Sequence, residues 1–229
     1  MERITLGILA ATAMKLFLRL FLSFLFIGIA LLAFAFFIWY RPKFKPIPYT
    51  PYSTGIGKSP AEVSRLQAKA MLLKQFVAAH QFNSSVCFLV DMDIASGKNR
   101  FFVYDLEKDS VILAGLVAHG SCDAGFQKNP RFSNTPNCGC SSLGKYKIGN
   151  HYQGNFGLAY KLYGLDSSNS HAFQRNIVLH SYDYVPEQET DPIPICNSRG
   201  CPMVAPGFLN QLALIIDRSK KPMVLWVFN

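Results

Sequence analysis

The sequence predicts a mainly β domain with a few peripheral helices, set behind an N-terminal transmembrane helix. Three observations predict it. Residues 20–40 contain no charged side chain and are almost wholly apolar. Residues 41–58 carry Pro42, Pro46, Pro48, Pro51, Gly55 and Gly57. From residue 85 onward, short apolar runs of strand length alternate with clusters of Gly, Ser, Asn and Pro, the pattern of strands and turns.

The apolar run has the length a helix needs to cross a bilayer core, roughly 20 residues. Arg3, Lys15 and Arg19 precede it, and Arg41, Lys43 and Lys45 follow it. Basic residues on both flanks blur the positive-inside signal. Residues 1–19 read as a cytoplasmic segment and 20–40 as an uncleaved anchor. A cleaved signal peptide is the alternative, with Ala33-Phe34-Ala35 as the small-residue site and Met14 as a second start. The run stays apolar past that site, through Phe36, Phe37, Ile38 and Trp39, which favours the anchor. Either way the remainder lies outside the cytoplasm, in the cell envelope or periplasm, or secreted if the segment is cleaved.

Residues 41–58 read as a stiff, extended linker. The domain at 59–229 then opens with a helix. Ser59 caps it, Pro60 suits its first position and Glu62 completes a capping box. Val63, Leu66, Ala70, Leu73 and Val77 recur at spacings of three and four and give it one apolar face. Strands are expected at 85–92, 100–105 and 111–118, with a turn at Ser96-Gly97-Lys98-Asn99. Residues 119–144 form a long loop, which in a compact domain tends to carry function. Short strands follow at 145–148, 176–179 and 223–227, and a helix at 208–217.

The chain has 229 residues and a net charge of +9. Beyond residue 40 it holds 20 Lys and Arg against 13 Asp and Glu. A basic outer domain suits an anionic partner such as a carboxylate-bearing polymer or a membrane surface. The basic residues are scattered, with no run or recognised motif, which excludes a nucleic-acid reader. Six cysteines occur, at positions 87, 122, 138, 140, 196 and 201. An oxidising compartment allows some to pair. Cys87 lies in an apolar run and reads as a buried thiol. Zinc on Cys138, Cys140 and Cys196 is the rival reading. The Cys138-Gly139-Cys140 spacing is tighter than a zinc ribbon's, and no second close pair is present. No metal and no cofactor are expected. No Cys-x-x-Cys pair points to a dithiol oxidoreductase.

Chemistry concentrates in one segment. Arg175-Asn176-Ile177-Val178-Leu179-His180 ends a β-like run in a histidine. A polar, Pro-rich stretch leads to Ser198-Arg199-Gly200-Cys201-Pro202. A thiol becomes nucleophilic as thiolate and needs a base or positive charge beside it. His180 can take the proton, and Arg199 adds positive potential if it points inward. Gly200 lets the backbone turn tightly so that main-chain N–H groups face a developing oxyanion. Arg175 and Arg199 could each fork onto a substrate carboxylate, with a surface role the default for Arg175. Tyr182 borders the cleft or packs on it. Ser198 falls among the substrate contacts, and Ser142 either lines the donor site or forms a turn. His119 reads as a strand-end histidine.

The segment resembles the signature of the L,D-transpeptidase catalytic domain family (YkuD type, murein branch), in which a His is followed by Ser/Thr-His-Gly-Cys. Here 17 residues, 181–197, separate His180 from Ser198. The stretches 101–105, Leu116-Val117-Ala118-His119-Gly120, Phe132-Ser133-Asn134 and Ser141-Ser142-Leu143-Gly144 fall in that branch's order. The resemblance covers about residues 85–206. Arg199 stands where His is usual, and Pro202-Met203 replaces the usual pair after the cysteine. The resemblance implies a β-sandwich or barrel-like domain. It also implies cysteine acyl transfer on peptidoglycan stem peptides, through a thioester, with release of D-Ala and transfer to an amine. It implies a main-chain carbonyl, not an acid, to orient His180. The alternatives are an L,D-carboxypeptidase or other hydrolase using the same Cys–His pair, and a non-catalytic wall-binding envelope module.

Overall fold

The computed structural model describes residues 2–36, 38 and 59–229; the expected linker at 41–58 lies outside them. The chain divides into two units, 1–46 and 47–229. In the first, helix α1 runs without a break over Glu2–Ala35. It begins earlier than the apolar run because nothing in residues 2–19 breaks a helix. Its membrane-length stretch is Met14–Ala35, with a mean hydropathy of 2.5. At 1.5 Å per residue, 22 residues span about 33 Å, enough for a hydrocarbon core. Phe17, Phe24, Phe26, Leu32 and Phe34 are all exposed. A helix apolar all round needs either a protein core or lipid about it. Ser23 donates its hydroxyl to the Arg19 carbonyl, 2.9 Å, which hides that polar group within the helix.

In the second unit, helix α2 spans Pro60–Ala79. The capping box forms: the Glu62 amide donates to Ser59 Oγ and the Ser59 amide to Glu62 Oε2. Leu66, Ala70, Leu73 and Val77 are buried, whereas Val63 is 41% exposed. Nine strands follow among the described residues: β1 Val86–Asp91, β2 Phe101–Asp105, β3 Ser110–Gly115, β4 Val117–Ala118, β5 Gly144–Gly154, β6 Gly157–Gly164, β7 Val178–Ser181, β8 Met203–Val204 and β9 Val224–Phe228. Helix α3, Pro206–Arg218, precedes β9.

The strands form one sheet in the order β3-β2-β1-β9-β5-β6-β7-β8-β4. Its two edge strands, β3 and β4, are separated in sequence by Leu116 alone. The sheet therefore curls until its edges meet, and the domain is a nearly closed β structure. This splits the strand expected at 111–118. The break falls at Leu116, directly after Gly115, where a Cβ would meet the Phe208 ring of α3 at 2.7 Å.

Strand residues alternate between two cores, as the pleat requires. Phe88, Val90, Phe101, Val103, Leu225 and Val227 join the larger core, with Phe208, Leu209 and Leu212 of α3. Cys87, Leu89, Phe102, Tyr104, Val224 and Phe228 face the smaller core under α2. Burial on both faces explains why β1 reads as a continuous apolar run. The β5–β6 hairpin was not foreseen beyond residue 148. Its tip at 154–157 is polar and glycine-rich, so no alternation marks it.

Candidate active site

Strand β7 carries His180. Ile177 and Leu179 point into the larger core, so Val178 and His180 face the opposite side. Antiparallel β6 places Ala159 opposite His180, Tyr160 opposite Leu179 and Lys161 opposite Val178. Parallel β8 places Met203 opposite His180. Carried two residues back, that register sets Cys201 beside Val178. The sulfur confirms it: Sγ donates to the Asn176 carbonyl at 3.8 Å and is met by the Val178 amide. His180 and Cys201 thus lie on neighbouring chain segments, His180 on β7 and Cys201 on the turn that leads into β8. Among the described residues the resting thiol is bonded to Asn176, not to the imidazole.

The His180 ring is oriented by backbone. Nδ1 lies 2.9 Å from the Ser181 carbonyl. A carbonyl only accepts, so Nδ1 carries the proton and Nε2 the lone pair. Burial holds this imidazole below the usual histidine range, and the Ser181 carbonyl partly offsets that. At neutral pH it is an uncharged base. Burial likewise pushes the Cys201 thiol up, against the Val178 amide and the charges of Arg175 and Lys161, which pull it down. The resting pair is therefore neutral thiol and neutral imidazole.

The turn 198–201 is locked. Gly200 has φ +108°, and a Cβ there would meet the Cys140 carbonyl oxygen at 2.6 Å, so no other residue fits. Ser198 is buried. Its Oγ donates to the Cys201 carbonyl at 2.7 Å and accepts from the Gly200 amide at 3.1 Å. The Gly200 amide is therefore engaged, while that of Cys201 donates to no group among the described residues. Ser198 also bridges to the 119–144 loop. Its amide donates to the His119 carbonyl, 2.8 Å, and its carbonyl accepts from Ser121, 2.9 Å. That loop is stapled by a Cys122–Cys140 disulfide, which removes Cys140 from any zinc set. Cys87, Cys138, Cys196 and Cys201 are free thiols. Among the described residues, no cluster of three or more His, Cys, Asp or Glu could hold a metal.

A family model described as the L,D-transpeptidase catalytic domain matches residues 58–228. The chain belongs to this family. No curated protein matches. Among solved structures, two of the helical cell shape determining protein Pgp2 from Campylobacter jejuni are similar. They share 14% and 13% identity, each covers 62% of this chain, and both have a TM-score of 0.42. This chain spans only 46% and 47% of them. An L,D-transpeptidase from Xylanimonas cellulosilytica shares 11% identity over 67% of this chain and 68% of its own, with a TM-score of 0.35.

Within this L,D-transpeptidase domain the two arginines exchange the places expected of them. The Arg199 side chain is 86% exposed and reaches only Asp123, 3.5 Å away. Arg175 is partly buried. Its Nη1 donates to the Ser133 carbonyl, 2.9 Å, and to Ser142 Oγ, 3.2 Å. Its Nη2 donates to Cys138 Sγ, 3.5 Å, and to the Cys140 carbonyl. Ser142 is itself buried, with its hydroxyl 2.7 Å from that of Tyr146. Ser142 and Ser198 thus brace the site from within.

Tyr182 and His180 share a ring neighbour that the sequence did not mark. Phe156, at the β5–β6 tip, stacks on the His180 ring at 5.2 Å and meets Tyr182 edge-on at 5.7 Å. Tyr184 follows at 5.3 Å from Tyr182. Phe156 and Tyr184 are 59% and 75% exposed, so the base sits against an open aromatic wall. His119 is fully buried. It accepts from Arg100 Nη2 at 2.8 Å on Nδ1 and donates from Nε2 to the Gln127 carbonyl at 3.0 Å. Burial, then the Arg100 charge, brings it down to about 4. Its backbone carbonyl braces the 198–201 turn through the Ser198 amide.

Proposed function

We propose that this chain is a membrane-anchored L,D-transpeptidase that acts on peptidoglycan stem peptides outside the cytoplasm. The observation that supports the reading is an uncharged imidazole on β7, its Nδ1 held by the Ser181 carbonyl, with a thiol on the glycine turn that leads into the adjoining strand β8. Helix α1 supplies the anchor, residues 41–58 the tether, and 59–229 the catalytic domain.

In this mechanism an arriving donor tetrapeptide displaces the thiol from the Asn176 carbonyl. His180 Nε2 takes the Cys201 proton, and the sulfur forms a bond to the carbonyl carbon of the third residue. The carbonyl oxygen becomes an oxyanion facing the Cys201 amide. Gly200 shapes this pocket through its φ, while its own amide stays with Ser198. The C–N bond then breaks. The imidazolium gives its proton to the leaving nitrogen, D-Ala departs, and a thioester remains. An acceptor amine loses its proton to His180, attacks the thioester and expels the thiolate, which takes the proton back. Arg175 and Lys161 lower the cost of the thiolate at both ends of the cycle. Tyr182, with Phe156 and Tyr184, offers an apolar wall for the peptide.

The test is release of D-Ala from a tetrapeptide muropeptide by the full-length chain in detergent, with and without an amine acceptor. Release together with a new cross-linked product supports transpeptidation. Release unaffected by the amine means that water resolves the thioester.

A further inference from the structure

The charges of Lys161 and Arg175 both act on Cys201, and neither forms an ion pair with a carboxylate among the described residues. Some partly buried cations of the domain are matched. Lys145 lies 2.8 Å from Asp166, and Arg65 lies 2.8 Å from Asp91. Here the partners are all neutral. Lys161 Nζ donates to Asn176 Oδ1 at 2.9 Å and sits 5.2 Å over the half-exposed Phe173 ring. Arg175 donates to two carbonyls, a hydroxyl and a thiol.

The fold aims this charge. Lys161 is directly cross-strand from Val178, whose amide meets the nucleophile's sulfur. It therefore shares the face of His180. Asn176, which fixes the ammonium, is itself held in the left-handed region at φ 54°, and its carbonyl accepts from Cys201 Sγ. One strained residue thus ties the lysine and the thiol to a common point. Such strain persists where surrounding structure over-determines it, commonly at ligand sites.

We propose that Lys161 and Arg175 form an anion-binding edge that receives the free C-terminal carboxylate of the donor peptide. The inference rests on the stem-peptide reading above. The carboxylate of the terminal D-Ala is two bonds beyond the scissile nitrogen, so a group bonded to the nucleophile at its carbonyl carbon places that carboxylate beside the same sulfur. Lys161, the more open of the two, makes the direct contact, and Arg175 supplies the field behind it. The edge selects peptides ending in a carboxylate over extended or amidated ones, and it releases its contact when D-Ala leaves, so it reads donor and not acceptor.

The experiment is calorimetric binding to the full-length Cys201→Ala chain of a tetrapeptide ending in D-Ala and of the same peptide ending in D-Ala amide. The carboxylate form binds about tenfold tighter, the size of one charge-assisted hydrogen bond, and Lys161→Met removes that preference. Equal binding of the two peptides, or a Lys161→Met chain that keeps the preference, overturns the proposal. D-Ala release by the unsubstituted chain is measured in parallel. Carboxylate-selective binding without turnover supports the anion edge and overturns the catalytic reading instead.

Discussion

Acid protonates His119 in the unfolded chain before it can do so in the folded one. Unfolded, the imidazole titrates near its ordinary value, about 6.5. Folded, burial and Arg100 bring it down to about 4. Between those values the unfolded state binds more protons, so stability falls as pH falls. The penalty is absent above about 6.5, grows by about 1.4 kcal/mol per pH unit and levels off below about 4, near 3 kcal/mol in all. That is a large part of a typical 5–15 kcal/mol. The neutral ring accepts from Arg100 Nη2 at 2.8 Å. In a His119→Asn chain the amide oxygen can take over as acceptor without titrating. Urea unfolding of both full-length chains, followed by tryptophan fluorescence at pH 7, 5.5 and 4.5, tests this. The unsubstituted chain should lose stability relative to His119→Asn by about 2 to 3 kcal/mol across that range. Parallel pH curves would refute the burial and Arg100 argument together.

Gly200→Ala forces a Cβ to within 2.6 Å of the Cys140 carbonyl oxygen at φ +108°. It should cost about 1–3 kcal/mol and abolish D-Ala release, read by thermal unfolding and turnover. Arg175→Met should lower kcat/KM at least tenfold and move the thiol's alkylation profile to higher pH, since the Arg175 charge favours the thiolate; Arg199→Ala, far out in solvent, should change turnover less than twofold. The Cys122→Ser/Cys140→Ser chain opens an 18-residue separation and should lose about 3 kcal/mol in the chain-entropy view. Unchanged urea midpoints for that pair would show that the 119–144 loop is held by its hydrogen bonds alone.

What the sequence revealed follows from how local each signal is. The α2 start was legible because Ser59, Pro60 and Glu62 act within one turn. That His180 ends a buried strand and Cys201 follows a tight glycine turn was legible because each is a local pattern. The exchange between Arg175 and Arg199 was not. Adjacency to Cys201 in sequence suggested Arg199, but that side chain lies out in solvent beside Asp123. Arg175 returns to the site only through β6–β7 pairing and the loop carrying Cys138 and Cys140. Ser142 and Ser198 looked like substrate contacts because serine is polar. Buried next to backbone and guanidinium groups that need partners, their hydroxyls serve those instead. The close approach of Gly115 to Phe208, just before the break at Leu116, joins residues far apart in the chain, and Phe156 meets His180 across a hairpin with no apolar alternation at its tip. Contacts of that range leave no periodic trace.

The central claim is that Cys201 and His180 act as one unit on a peptide carbonyl. The most direct measurement is D-Ala release from a tetrapeptide muropeptide by the full-length chain, compared with Cys201→Ser, His180→Ala and the double variant, each shown to be folded by circular dichroism. Both single variants should fall to background and the double should be no worse, because a nucleophile and its base are not additive. A folded Cys201→Ser chain that releases D-Ala at the unsubstituted rate would contradict the account.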